Sequence, residues 1–186
     1  TTGRRGVAAT VIVEKIVGSL AESGGCLEEC KNLGDKVNKN SGSMGVAFSS
    51  CIVPAAGKPT FELGEDEMEF GVGIHGEPGR RRDKIKSAQE ITNELLNAIL
   101  EDLKPENKDE ILLLVNGMGG TPLSELYLIY NNAKKTLDNK KIKIARSLVG
   151  NYCTSLEMQG ASITLTKLDP ELANHWDSAV HTAAMR

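Results

Sequence analysis

The sequence predicts an α/β protein in which a mixed β-sheet is flanked by helices. A continuous apolar run, residues 111–115, is typical of a strand covered on both faces. A glycine-rich loop, residues 116–122, follows that strand and leads into a helical segment. Strand-like and helical segments alternate along the rest of the chain, a pattern that favours helices packed on a sheet.

Five segments have the features of helices. Residues 3–23 carry apolar side chains at helical spacing and end at Gly24-Gly25. The others cover residues 27–37, 85–103, 123–137 and 170–176, and the third of the five segments stops at Lys104-Pro105.

The predicted strands besides 111–115 cover residues 44–53, 67–74, 142–156 and 162–168. In the strand 67–74, alternation predicts an apolar face formed by residues 68, 70, 72 and 74, with Glu67 and Glu69 on a polar face.

Composition limits the classes of function. The chain has 186 residues, 40% hydrophobic and 25% charged, enough for one well-developed core. The net charge is −3, and basic residues are scattered apart from the triplet 80–82, which we expect in a solvated loop, so nucleic-acid binding is disfavoured. No apolar run approaches the ~20 residues of a membrane span.

The cysteines and the N-terminal residues favour a cytoplasmic protein without a metal. The four cysteines lie at 26, 30, 51 and 153 and lack the spacing of zinc ligands, so we expect reduced thiols. Arg4-Arg5 before an apolar stretch imitate an export signal, but Glu14-Lys15 interrupt it.

His75 is the candidate for chemistry. It follows the alternating strand 67–74 and enters the loop Gly76-Glu77-Pro78-Gly79, whose composition suits tight turns and close approach of a ligand. A structural histidine in an ordinary turn is the alternative. We expect His175 and His181 to be surface or packing residues, because no glycine loop or carboxylate accompanies them.

The loop 116–122 is a second candidate. Thr121 is the expected N-cap of the next helix and Pro122 its first residue. Backbone N–H groups at Gly119 and Gly120 could hold a phosphate or another polar ligand, but the loop matches neither a P-loop nor the dinucleotide-binding pattern. A structural turn and a functional loop both remain open here.

Three longer motifs resemble one family. They are residues 61–79, with Gly-Ile-His-Gly-Glu-Pro-Gly at 73–79; residues 116–127, Asn-Gly-Met-Gly-Gly-Thr-Pro-Leu-Ser-Glu-Leu-Tyr; and residues 150–156, Gly-Asn-Tyr-Cys-Thr-Ser-Leu. Together with residues 3–8 and 180–182, these motifs resemble the substrate-binding K subunit of dihydroxyacetone kinases over the whole length of the chain.

The resemblance implies phosphorylation of dihydroxyacetone, with His75 holding the ketone as a covalent hemiaminal. A free imidazole is mostly neutral at pH 7, and only the neutral form has the lone pair that attacks a carbonyl carbon. Such a bond would reject glycerol, which has no carbonyl. The resemblance also suggests substrate-loop roles for Gly76, Glu77, Gly119 and Gly120, with Glu77 as a residue that orients the imidazole.

The chain departs from the family pattern because it lacks the Gly-Ser-Gly-His loop and the Asp-Asp segment of K subunits. We therefore expect a C-terminal portion that is inactive alone, with residues 1–40 as the helical end of the N-terminal K domain and 41–186 as the C-terminal α/β domain. The missing N-terminal K domain would supply the general base.

The resemblance further implies a partner in trans and a homodimer. ATP or ADP with Mg²⁺ belongs to a separate L subunit or domain, which a phosphotransferase-system protein recharges in some bacteria. Two alternatives stay open: a non-catalytic dihydroxyacetone sensor or transcriptional co-activator, and a structural or dimerisation domain.

Overall fold

The computed structural model describes residues 5–75 and 79–185. Its elements in chain order are α1 (Ala9–Glu22), α2 (Leu27–Asn40), β1 (Ser41–Ala47), β2 (Glu67–Phe70), β3 (Arg81–Lys84), α3 (Ala88–Leu103), β4 (Glu110–Gly117), α4 (Leu123–Asn139), β5 (Lys143–Gly150), β6 (Gly160–Leu168) and α5 (Pro170–Asp177).

The described strands form one mixed sheet in the order β3-β2-β1-β6-β4-β5. Only β4 and β5 pair in parallel, and the other neighbours are antiparallel. The predicted α/β class with a mixed sheet and flanking helices is therefore confirmed.

The apolar run after Glu110 explains why both faces of the sheet are covered. Ile111, Leu113 and Val115 pack with α3 and α4 on one face. Leu112 and Leu114 pack with α1, α2 and α5 on the other. Because side chains alternate across a strand, an uninterrupted apolar run requires a core on each side.

Helix α3 illustrates how local sequence sets the limits of an element. Ser87 and Glu90 form a reciprocal capping box at its start, and Lys104, with φ 45°, ends it in the left-handed conformation before Pro105. Ile85 lies before the cap and not in the helix, so the predicted start at residue 85 was early by one turn.

Several predicted strand limits were wrong for a common reason. β1 covers Ser41–Ala47 and not 44–53, β2 ends at Phe70 and not 74, and residues 151–156 form a loop. The arginine triplet does not lie in a solvated loop, because Arg81 and Arg82 belong to β3 and pair with β2. Strand ends depend on where a partner strand stops, which side-chain periodicity does not encode.

Residues 5–40 pack on the sheet formed by the rest of the chain. Ile12 and Ile16 of α1 and Val37 of α2 belong to the same buried cluster as Leu112 and Leu114 of β4. The assignment of residues 1–40 to a separate domain stays a prediction. Within residues 5–75 and 79–185, no helix combines the length and the hydropathy needed to cross a bilayer.

Candidate functional site

His75 lies in the connection between β2 and β3, at the edge of the sheet. The base of this connection is closed by two backbone hydrogen bonds: Gly71 N donates to Gly45 O at 2.7 Å, and Arg80 N donates to Phe70 O at 2.6 Å. Gly71 has φ +78°, a conformation that favours glycine, and turns the chain out of the ladder. His75 is therefore five residues beyond the strand, where its side chain is exposed.

Glu69 holds the returning side of this connection. Its side chain is buried, and its carboxylate accepts hydrogen bonds from Gly79 N at 3.0 Å and from Arg82 Nε at 3.1 Å. Glu67 and Glu69 share the polar face that alternation predicted, since both lie near Arg82, but Glu69 is buried within that face. Because a buried carboxylate is costly unless it is paired, these two donors make Glu69 a clamp for the loop.

The outgoing side of the connection is anchored by apolar side chains. Val72 is buried and Ile74 packs beside it, in a cluster with Val7, Ala47, Cys51, Met118 and Met158. Gly45 makes room for this crossing: a Cβ there would lie 3.1 Å from both Val72 O and Met118 Cε. His75 therefore follows an anchored segment that packs over β1. The predicted site residues Gly76 and Glu77 lie outside the described residues.

The second predicted loop shares that cluster, because Met118 packs with Val72 and Ile74. Its glycines contact the chain at residues 156–159. Gly120 N donates to Met158 O at 2.9 Å, so this N–H already has an acceptor. A Cβ at Gly119, whose φ is +124°, would lie 1.9 Å from Leu156 O, and one at Gly120 would lie 2.5 Å from Glu157 O. Both glycines allow two backbone segments to approach closely.

The prediction that Thr121 caps the following helix was wrong. Pro122 occupies the N-cap position of α4, and the helix begins at Leu123. The Thr121 hydroxyl instead donates to Gly160 O and accepts from Gly160 N, both at 2.8 Å. The N-cap is thus one residue later than predicted, and the Thr121 hydroxyl is used in a tertiary contact with Gly160.

Asn116 is a residue whose importance the sequence motifs did not single out. Its side chain is fully buried; Oδ1 accepts from Tyr152 N at 2.9 Å and Cys153 N at 2.8 Å, and Nδ2 donates to Cys153 O at 2.8 Å. It joins the end of β4 to the loop 151–159. A single amide at the end of a wholly apolar strand is the signal that could have identified it.

Some other titratable side chains of the described residues lie near these loops or on the C-terminal segment. Burial is the main cause that raises the pKa of both the Cys153 thiol and the Tyr152 hydroxyl. The charges of Glu14 and Tyr127 raise these two pKa values further, so both groups stay protonated at neutral pH. His175 packs against Ser19, with Nδ1 3.0 Å from the hydroxyl oxygen, and His181 is exposed on the C-terminal segment. Residues 5–75 and 79–185 contain no group of three or more His, Cys, Asp or Glu side chains placed to hold a metal ion.

The sequence matches a known protein family and curated relatives. Residues 1–184 match the family model described as the Dak1 domain. The chain is 44% identical to the PEP-dependent dihydroxyacetone kinase, dihydroxyacetone-binding subunit DhaK, of Escherichia coli (strain K12), covering 100% of this chain and 59% of that protein. It is 50% identical to the corresponding subunit of PTS-dependent dihydroxyacetone kinase 1 of Listeria innocua, covering 92% and 52%.

A solved structure is also similar. The dihydroxyacetone kinase operon co-activator Dha-DhaQ superposes with a TM-score of 0.84 at 36% identity, covering 91% of this chain and 53% of the co-activator. The chain thus spans between 52% and 59% of the length of these three proteins.

Proposed function

The chain belongs to the Dak1 domain family, and on that premise we propose that it is the part of a dihydroxyacetone kinase that captures the ketone on His75. The observation that carries this proposal is the exposed His75 side chain on a connection whose two sides are anchored, by Glu69 on one and by Val72 and Ile74 on the other. A reactive group needs such support, because small displacements of a catalytic side chain cost much of its rate.

The bond would form by addition of the imidazole to the carbonyl. The ring nitrogen that carries the lone pair attacks the carbonyl carbon, and the π electrons of the C=O bond move to its oxygen. The other ring nitrogen releases its proton through solvent, and the oxygen takes one up. No atom leaves, so the hemiaminal is reversible and the imidazole is neutral before and after.

This addition gives selectivity for a ketone. Glycerol offers hydroxyl groups of similar size but no electrophilic carbon, and hydrogen bonds alone discriminate poorly between such ligands. His75 would thus hold and orient the substrate, while groups outside this chain transfer the phosphoryl group.

The proposal includes a partner in trans. The names of the two bacterial relatives include PEP-dependent and PTS-dependent kinases. We propose that a separate L subunit carrying ATP or ADP with Mg²⁺ delivers the phosphoryl group in the cytoplasm, that the remaining K-subunit residues supply the general base, and that the complete subunit is a homodimer. The chain alone would then bind weakly and transfer nothing.

A second candidate function is favoured by one observation, the 0.84 TM-score with an operon co-activator. A co-activator of this family would capture the ketone as a signal, without phosphorylating it. The two functions share the role of His75 and differ in the residues that deprotonate the substrate. Phosphoryl transfer by the complete protein with its L subunit separates them.

The test is to titrate the complete protein with dihydroxyacetone labelled with ¹³C at the carbonyl carbon. The hemiaminal converts that carbon from trigonal to tetrahedral, which moves its NMR resonance far upfield, and the signal should be lost in His75→Ala. The matched control is His181→Ala, which also removes an exposed histidine and should keep the tetrahedral signal.

Calorimetry on the same variants measures the affinity. We expect His75→Ala to bind dihydroxyacetone at least ~100-fold more weakly, the discrimination typical of a lost specific bond in a site built around it. A variant that binds as tightly as the parent protein would show that the covalent role is wrong.

A further inference from the structure

The hairpin of β2 and β3, whose connection carries His75, has a short junction with the rest of the sheet. Among the described residues, β2 joins β1 through Val46 and Ala47 alone, whereas β1 pairs with β6 along the whole range 41–47. β3 is the outermost strand of the described sheet and pairs with β2. Because a two-stranded hairpin is marginally stable by itself, contacts of its side chains with other elements are needed to hold it in place.

Helix α3 supplies such contacts. Met68 and Phe70 of β2 belong to the same buried cluster as Leu95 of α3. Arg81 and Asp83 of β3 lie directly opposite Phe70 and Met68 in the hairpin, so these four side chains share one face. The apolar contact between hairpin and helix is thus continued at the surface by charged side chains.

Four charged side chains form a closed ring at this junction, which we call the charge ring: Arg81, Asp83, Lys86 and Glu94. Glu94 contacts both cations, with Oε2 2.5 Å from Arg81 Nη2 and Oε1 2.6 Å from Lys86 Nζ. Asp83 Oδ2 contacts the same two nitrogens at 2.8 and 3.3 Å. Positive and negative charges therefore alternate around the ring, and Glu94 is the member that α3 supplies.

The charge ring also covers Phe70. Arg81 Cζ lies 4.8 Å and Lys86 Nζ 5.9 Å from the centre of the Phe70 ring, within the range of a cation–π attraction. Phe70 is the last residue of β2, and its carbonyl oxygen accepts from Arg80 N where the connection to β3 closes. Without the charge of Glu94, two cations would share one carboxylate over Phe70, and their repulsion would weaken the contact with α3.

The strength of the charge ring is suited to a weakly joined element. Isolated exposed ion pairs contribute little to stability, and networks of several charges are the exception. The side chains of the charge ring are between 27% and 54% exposed, so dissolved salt can screen their attraction. The charge ring can therefore hold the hairpin against α3 at low ionic strength and release it in part at high ionic strength.

We propose that Glu94 is a positioning residue for ketone capture. Through the charge ring it fixes the β2–β3 hairpin against α3, and the fixed hairpin presents His75. When the charge ring is lost, the base of the connection loosens, and His75 spends less time in the geometry that meets the carbonyl carbon. The effect on capture rests on the proposed function, whereas the attachment of the hairpin is a property of the fold.

Hydrogen–deuterium exchange of segment 66–85, followed by mass spectrometry of the complete protein, tests the attachment. In Glu94→Gln the amides of Gly71 and Arg80, which close the base of the connection, should exchange about threefold to tenfold faster than in the parent protein. High salt should cause a similar increase in the parent protein and little further increase in the variant, because both changes remove the same attraction.

Glu171→Gln is the matched control. Glu171 is also partly exposed and pairs with a lysine of another helix, Lys36, at 2.5 Å, but it lies on α5. This variant should leave the exchange of segment 66–85 and its response to salt unchanged. Exchange that is unchanged in Glu94→Gln, or equally accelerated in Glu171→Gln, would overturn the role of the charge ring.

The effect on capture is measured with the tetrahedral ¹³C signal at ketone concentrations below saturation. Glu94→Gln should lower the equilibrium constant for capture about threefold to tenfold at low salt, and variant and parent protein should converge at high salt. Glu171→Gln should keep both the capture and the salt response of the parent protein. Unchanged capture in Glu94→Gln, despite faster exchange of the segment, would show that Glu94 does not position His75.

Failure of the proposed function gives a different result. A parent protein without a tetrahedral signal would overturn ketone capture and, with it, the positioning role of Glu94. The exchange rates of segment 66–85 decide separately whether the charge ring holds the hairpin.

Discussion

The two glycine-containing loops of this protein use their residues in different ways. In residues 116–122 the polar groups are occupied internally: Asn116 and Thr121 bond to the backbone at 152–153 and at 160, and Gly120 bonds to Met158. In residues 71–80 the anchors lie at the two sides, and the histidine between them is exposed. Glycines therefore allow close backbone packing in the first loop, whereas in the second they flank an exposed side chain whose neighbours are anchored.

Substitution of Gly119 should have the largest effect on stability. Gly119→Ala should lower the free energy of unfolding by about 3–5 kcal/mol, because overpacking and backbone strain each cost about 1–3 kcal/mol. The cause is a Cβ 1.9 Å from Leu156 O at a φ of +124°. Urea denaturation measures the change.

Gly57→Ala is the control for Gly119→Ala. Gly57 has φ +61° but nothing within 4 Å of a Cβ, so only the left-handed conformation costs energy, about 1–2 kcal/mol. Equal losses at the two positions would show that the approach of the Leu156 backbone is not rigid.

Asn116→Ala should have the next largest effect, about 2–4 kcal/mol, because it leaves buried backbone groups without partners. The groups are the N–H of Tyr152 and both polar groups of Cys153. Asn174→Ala, at an exposed position of α5, should change the stability by less than about 0.5 kcal/mol. If Asn116→Ala loses no more stability than Asn174→Ala, Asn116 does not stabilise the link between β4 and loop 151–159.

Glu69→Gln should have a smaller effect on stability than Gly119→Ala or Asn116→Ala, about 1–2 kcal/mol, since one oxygen remains to accept from Gly79 N while the ion pair with Arg82 is lost. Glu69→Gln should nevertheless reduce the amount of captured ketone clearly, because Glu69 holds the connection that carries His75. The measurement is the fraction of the tetrahedral ¹³C signal at a fixed ketone concentration.

Glu67→Gln is the matched control for Glu69→Gln, because Glu67 lies two residues earlier in β2, is partly exposed and lies 3.6 Å from the same arginine. Normal capture in Glu69→Gln, or an equal loss in Glu67→Gln, would show that Glu69 does not position the histidine loop.

Much of the fold could be predicted because its signals are local. The apolar run 111–115 predicted a strand covered on both faces, and Lys104-Pro105 predicted the end of α3. The capping box of Ser87 and Glu90 is also a local signal, but the predicted start at residue 85 overlooked it. The failures at strand ends and at Glu69 have tertiary causes. Alternation places Glu69 on the polar face of β2, but only the return of Gly79 and Arg82 across it shows that this carboxylate is buried.

The sequence by itself determined the helix and strand types, the family resemblance and the candidacy of His75, because periodicity, capping residues and motifs are properties of neighbouring residues. The tertiary structure alone decided where strands end, which glycines are pressed against backbone and which donors a carboxylate receives. It also brought the Arg5 side chain to the carbonyl oxygen of Gly71. Such contacts join residues tens of positions apart, and their energies depend on burial and distance, which no local pattern specifies.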